Sequence, residues 1–217
     1  MSDLEKGTYN AGAGSNLTAA PRPSSIANPA SLGLFSFAST TFILSFYNVS
    51  VRGIHHPNVV VGMALFTGGL AQLLAGMWEF PRGNVFGATA FTSYGAFWLS
   101  YATILIPGSG IGAAYDSEEE FHNALGIYLF TWFIITVLLL IASLRKSIAF
   151  IALFGFLSIT FLLLGAGEFT GTTSIVTAGG AFGIITAFIA YYIGLSDLLA
   201  AERAAIVGLP TGGFKHD

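Results

Sequence analysis

The charged residues of this chain are so sparse that they divide it into long charge-free stretches. No Asp, Glu, Lys or Arg occurs between Arg22 and Arg52, Arg52 and Glu79, Arg82 and Asp116, Glu120 and Arg145, Lys146 and Glu168, or Glu168 and Asp197. Crossing the hydrocarbon core of a bilayer takes roughly 20 mostly apolar residues in helical conformation. Each stretch is long enough and rich in Leu, Ile, Val, Phe and Ala. The pattern predicts an all-α membrane protein, a bundle of six transmembrane helices.

Composition supports the same class. Only 9% of the 217 residues are charged and 54% are hydrophobic, whereas about a quarter of a soluble domain is charged. Cysteine is absent, which excludes disulfides and thiolate metal sites. Residues 1–27 are polar and lack the basic start and short apolar run of a signal peptide. They read as a disordered tail. Residues 28–203 form the expected transmembrane domain, and residues 204–217 a second tail.

Orientation follows from the basic residues. A cytoplasmic N-terminus puts Lys6, Arg22, Arg82, Arg145, Lys146, Arg203 and Lys215 on one side and only Arg52 on the other. Lys and Arg favour the cytoplasmic side, so both termini are expected there. The acidic run Asp116, Glu118, Glu119 and Glu120 then lies outside, as a solvated loop or a weak attractor of cations.

The expected spans are residues 30–50, 58–80, 84–106, 121–144, 147–167 and 173–201. Membrane helices associate by close packing, which small residues permit. Gly62, Gly69 and Gly76 recur every seven residues in helix 2. Gly83 and Gly87 form a GxxxG in helix 3, extended by Ala90, and Gly183, Ala187, Ala190 and Gly194 line helix 6. These stripes predict tight helix packing, within one subunit or between subunits.

Polar residues on such faces carry more information. Gln72 falls between Gly69 and Gly76, and Tyr94 four residues after Ala90. Gly33, Phe37, Thr41, Leu44 and Asn48 share a face of helix 1. A buried amide or hydroxyl without a partner costs a few kcal/mol, so these groups bond between helices or line a pathway that meets water. The start of helix 1, Asn28-Pro29-Ala30, places a good capping residue before a proline. Such an N-terminus also attracts anions. The candidate pathway residues are Asn28, Thr41, Gln72, Asn84 and Thr92.

No charged residue is expected deep in a helix, which argues against a buried carboxylate relay. His55 and His56 point apart on any regular element, so no metal site is expected. Catalytic nucleophile–base pairs, phosphate-binding loops and dinucleotide fingerprints are not visible. The chain reads as a non-enzyme without cofactor or nucleic-acid partner.

These segments together resemble the acetate uptake transporter family, which includes bacterial succinate–acetate permeases and fungal acetate permeases also described as ammonia-export proteins. The family signature Asn-Pro-Ala-Pro-Leu-Gly-Leu is met by Asn28-Pro29-Ala30-Ser31-Leu32-Gly33-Leu34, with Ser31 in place of the second proline. Further matches are Thr40-Thr41-Phe42, Gly68-Gly69-Leu70-Ala71-Gln72, Ala75-Gly76-Met77-Trp78-Glu79, Gly83-Asn84-x-Phe86-Gly87-Ala88-Thr89-Ala90, Ser93-Tyr94-Gly95-x-Phe97-Trp98 and Phe161-Leu162-Leu163-Leu164-Gly165. Trp78-Glu79-Phe80 and the Asn-containing tail look fungal.

The resemblance implies a hexamer in which each protomer has its own anion pathway. It also implies a hydrophobic constriction of a helix-1 Phe, a helix-3 Tyr and a helix-5 Leu, falling on Phe37, Tyr94 and Leu164. The expected substrate is acetate or a related small monocarboxylate crossing the plasma membrane. Thr41, Gln72, Asn84 and the Tyr94 hydroxyl would replace water around the carboxylate. Conduction requires binding weak enough to release, so passage as an anion or together with a proton both stay open. Two alternatives stand beside this reading: an ammonia or ammonium exporter, and a membrane receptor or regulator without net flux.

Overall fold

The computed structural model describes residues 26–202 and 204–214. The expected N-terminal tail therefore lies outside the described residues, apart from Ile26 and Ala27. Six long helices fill the described chain: α1 Ala30–Asn48, α2 Val60–Glu79, α3 Val85–Leu105, α4 Glu118–Ser143, α5 Ile148–Thr170 and α6 Thr173–Ala201. Five of them are long and apolar enough to cross a membrane. The sixth, α3, has the length but carries more Gly, Ser, Thr and Tyr. Its composition suits its position. Gly87, Ala88, Ala90, Phe91, Tyr94, Gly95, Phe97, Trp98 and Ala102 are all buried by other helices. α4 is the converse, turning Ile127, Ile134, Leu138 and Ile141 outward as lipid would require.

Four of the six helices start where a side chain accepts a backbone N–H of the first turn. Ser117 Oγ accepts from the Glu120 N–H at α4, with Glu118, Glu119 and Glu120 complementing the positive helix end. Ser147 Oγ accepts from the Phe150 N–H at α5, and Asn84 Oδ1 from the Gly87 N–H at α3. At α1 the helix begins at Ala30, and Asn28 Oδ1 accepts the Ala30 N–H.

α2 departs from regular geometry. Residues Phe66–Ala71 form a π turn, which inserts one extra residue into the helix. Gly62 is thereby rotated away from Gly69 and Gly76, and a Cβ there would meet open space within this protomer. The seven-residue stripe expected for helix 2 is thus broken after its first member. Gly68 and Gly69 now face partners together. A side chain at Gly68 would strike Thr40 of α1 and Trp98 of α3, and one at Gly69 would strike Leu99 of α3. Gly76 packs directly on Thr92, and Gly95 lies with its missing Cβ 2.7 Å from the Leu73 backbone nitrogen. Gly83 is not a packing residue within the protomer. It precedes α3 with φ +78° and open space around it, the conformation that glycine tolerates best. Gly87 makes room for the Asn84 side chain rather than for a neighbouring helix.

α1 packs against α6 and α2, α2 against α3, α5 against α4 and α6. The α6 stripe closes on α1 as its spacing requires: Gly183 meets Ser45, and Gly194 meets Phe35 and Leu34. After α6 the chain does not run free. The Ile148 and Ala149 N–H groups donate to the Gly212 and Thr211 carbonyls at 3.0 and 3.1 Å, and the Phe214 N–H donates to the Lys146 carbonyl at 3.2 Å. Tyr192 and Ser196 hydroxyls of α6 donate to the Pro210 and Leu209 carbonyls, each at 2.7 Å. The segment taken as a C-terminal tail is a strap that satisfies open donors in the first turn of α5.

Candidate functional site

α1, α3 and α5 run the same way, so their N-termini gather at one end of the bundle. A cavity of about 300 Å³ opens there. Asn28 and Ala30 at the start of α1, Asn84 and Gly87 at the start of α3, and Lys146 and Phe150 at the start of α5 all line it. The positive ends of helices favour anions. Arg82 and Lys146 add full charges. Lys146 Nζ lies 4.4 Å over the Phe86 ring, which holds the ammonium at the cavity rim.

Arg82 also ties two helices together. Its Nη1 donates to Glu79 Oε2 at 3.0 Å and to Asn28 Oδ1, joining the end of α2 to the start of α1. Glu79 is fully buried, and its second oxygen has no hydrogen-bond partner among the described residues. Asp197 of α6 completes the charged rim. Deeper in, Gln72 lines the cavity with no partner among the described residues for either amide atom, although it is fully buried. Few buried polar groups in proteins lack partners altogether. An amide so placed is a ready contact for a polar solute in the cavity.

A second, smaller cavity of about 60 Å³ occupies the opposite end of the helices. Asn48 at the end of α1, Tyr101 near the end of α3, Glu168 near the end of α5 and Val176 near the start of α6 mark its outer rim. Thr41 and Trp98 line it, and neither the Thr41 hydroxyl nor the Trp98 indole nitrogen has a partner among the described residues. Among the described residues no three His, Asp or Glu side chains come together as a metal would require.

Phe37 and Leu157 line both cavities, so they stand at the divide between them. The Phe37 ring centroid is 5.3 Å from that of Tyr94, whose ring also contacts Trp132 and Phe154. All three divide residues are buried. The barrier between the cavities is therefore apolar and aromatic, with Tyr94 presented ring-first. Its hydroxyl lies 2.8 Å from Thr136 Oγ1. Thr136 gives its own proton to the Trp132 carbonyl, so Tyr94 is the donor of that pair. This engages the hydroxyl proton with α4, where the sequence reading had it solvating a carboxylate.

The other sequence candidates separate cleanly. Asn28, Gln72 and Asn84 line the first cavity and Thr41 the second. Thr92 lines neither. It contacts Gly76 and its hydroxyl sits 3.9 Å from the Met77 sulfur, in the α2–α3 packing. Leu164 lines the second cavity, while the α5 leucine at the divide is Leu157, about two turns earlier. Arg82, Lys146, Glu79 and Asp197 were not singled out as site residues. Their signal was present in the charges at the helix ends, but only the fold brings four different chain positions to one rim.

Residues 7–212 match the GPR1/FUN34/yaaH family. The chain is 48% identical over 193 residues to ammonia transport outward protein 2 of Saccharomyces cerevisiae, covering 88% of this chain and 68% of the relative. It is 43% identical over 199 residues to acetate permease A of Emericella nidulans, covering 87% of this chain and 66% of the relative. The solved structure of the bacterial acetate channel SatP superposes with a TM-score of 0.73 at 33% identity, over 85% of this chain and 99% of that one. Agreement of this extent across all six helices makes the protein a multi-pass membrane protein and a member of the GPR1/FUN34/yaaH family.

Proposed function

We propose that the chain carries acetate and related small monocarboxylates across the plasma membrane, through a pathway within each protomer. The observation that carries this reading is the pair of cavities at opposite helix ends, both lined by the buried Phe37 and Leu157, with Tyr94 packed on Phe37. A carboxylate arriving at the first cavity meets three helix N-termini, Arg82 and Lys146. Its methyl end suits an apolar divide, and its charged end is met by Gln72 on one side and Thr41 on the other. Arg82 is already paired with Glu79 and Asn28, so it attracts without clamping. That balance favours transit over tight binding.

The first cavity faces the cytoplasm in this reading, because Arg82, Arg145 and Lys146 lie at its end of the bundle. Both chain termini lie on that side. Six copies assemble around a common axis, each keeping its own pathway, with a proton as an optional companion of the anion. The protein is a transporter and not an enzyme. The relative named acetate permease A and the solved acetate channel support this substrate.

A second reading is export of ammonia or ammonium. It is supported by the relative named ammonia transport outward protein 2 and by the carboxylate of Glu168 at the second cavity. The deciding experiment is labelled acetate uptake into liposomes holding the purified chain, with and without an inward proton gradient. Uptake above empty liposomes without a gradient indicates a facilitated pathway. Strict dependence on the gradient, after subtraction of acetic acid diffusion, indicates proton coupling. Failure of both, with ammonium flux present, moves the assignment to the second reading.

A further inference from the structure

The second cavity poses an electrostatic problem for any anion. Among the described residues that line it, Glu168 is the single charged side chain. It lies near the C-terminal end of α5, where the helix dipole is also negative. The first cavity sets Lys146 and the Glu79-paired Arg82 beside Asp197, with three helix N-termini, whereas this rim has no lining cation and a carboxylate. Among the described residues Glu168 has one ionic partner. Its Oε2 is 2.6 Å from Nδ1 of His122 in α4, whose side chain is about half exposed while that of Glu168 is 20% exposed. Histidine is the side chain whose charge ordinarily changes between about pH 5 and 8.

Among the described residues the surroundings do not supply another cation to this pair. Tyr101 of α3 lines the same cavity, and Tyr128 of α4 stacks on it with centroids 6.5 Å apart. Asn48 of α1 and Val176 of α6 complete the rim and do not titrate. Glu118, Glu119 and Glu120 lie just before His122 on α4, exposed and acidic. Arg52, His55 and His56 lie in the exposed α1–α2 connection, outside the lining of the cavity.

We infer that the His122–Glu168 pair sets the charge selectivity of the second mouth. With His122 protonated the pair is neutral, and a carboxylate anion enters. With His122 neutral, Glu168 meets the anion as a bare like charge and repels it. Anion passage per unit of anion therefore falls when the imidazole gives up its proton. This inference rests on the carboxylate reading of the pathway.

The test is exchange of labelled acetate across liposomes at equal pH on both sides, between about pH 5.5 and 8. Equal pH removes the proton gradient and makes protein orientation irrelevant. Wild type, His122→Gln and Glu168→Gln are compared at each pH after subtraction of empty liposomes. Their ratios cancel the titration of acetate itself. Focused charge at a mouth changes encounter rates by about tenfold or more. The expected result is that Glu168→Gln exceeds wild type by about three- to tenfold at the alkaline end and converges with it at the acid end. His122→Gln is expected to be slow throughout, without the wild-type fall. Both variants elute as the wild type does on size exclusion. If both lower exchange at every pH and keep the wild-type slope, the pair is only a latch between α4 and α5 and the inference is wrong. If folded wild type exchanges no acetate at any pH, the carboxylate pathway itself fails and takes this inference with it.

Discussion

Gln72 and Thr41 are buried with side-chain polar atoms that no group among the described residues satisfies, each lining one of the two cavities. An unsatisfied buried amide is a stability liability, so replacing it by an apolar residue of similar size should not harm the fold. Gln72→Leu is expected to leave the unfolding midpoint unchanged or raised, within about 1 kcal/mol of stability. Acetate flux should fall about tenfold, equivalent to about 1.4 kcal/mol. Thermal unfolding in detergent and liposome uptake measure the two separately. A loss of folding with flux intact per folded molecule would make Gln72 a packing residue. The divide gives a second residue-scale outcome. Leu157→Ala should open it and admit larger monocarboxylates, as should Tyr94→Ala, whereas Leu164→Ala should change size selectivity little. Competition of labelled acetate by acids of increasing chain length reads the difference. The inward positions of Phe37 and Tyr94 were legible in sequence because glycine and polar residues mark one face of their helices. Leu157 was not, since α5 is apolar on every side and offers no contrast between faces.

At the scale of the helix, α2 shows how one residue alters a face. Gly76 lies against the Thr92 backbone, and no side chain there can rotate clear of it. Gly76→Leu should cost about 1–3 kcal/mol through overpacking of α2 on α3. Gly62→Leu, with open space around it in the protomer, should cost less than about 1 kcal/mol. Paired unfolding curves in the same detergent test the contrast. Equal losses would mean that the π turn is absent and that the three glycines share a stripe after all. The π turn itself left no mark in the sequence. Gly62, Gly69 and Gly76 read as one stripe only under a regular helical period, and a single wider turn shifts every earlier position by about 100°.

Over the whole molecule, the connections between helices decide what the bundle can do. The strap formed by residues 209–214 links α5, α6 and the turn that carries Lys146 at the first cavity. Ending the chain after Val207 removes the carbonyls that receive the Ile148 and Ala149 N–H groups. At about 1 kcal/mol for each hydrogen bond, the truncated protein should lose about 2–5 kcal/mol, seen as a lower unfolding temperature. An unchanged midpoint would show that the strap is only resting on the bundle. The strap escaped the sequence reading because short polar and Gly-rich segments look alike whether they are docked or free. By itself the sequence determined the number of helices and their alternating directions, since a bilayer admits only uninterrupted apolar helices of nearly fixed length. It also determined which residue types avoid lipid. The tertiary structure alone decided which polar residues share a cavity, which leucine closes the divide and which cations reach the rim. Those relations depend on helix rotation and on contacts between distant parts of the chain, and an apolar helix flanked by lipid carries little sequence pattern to record its rotation.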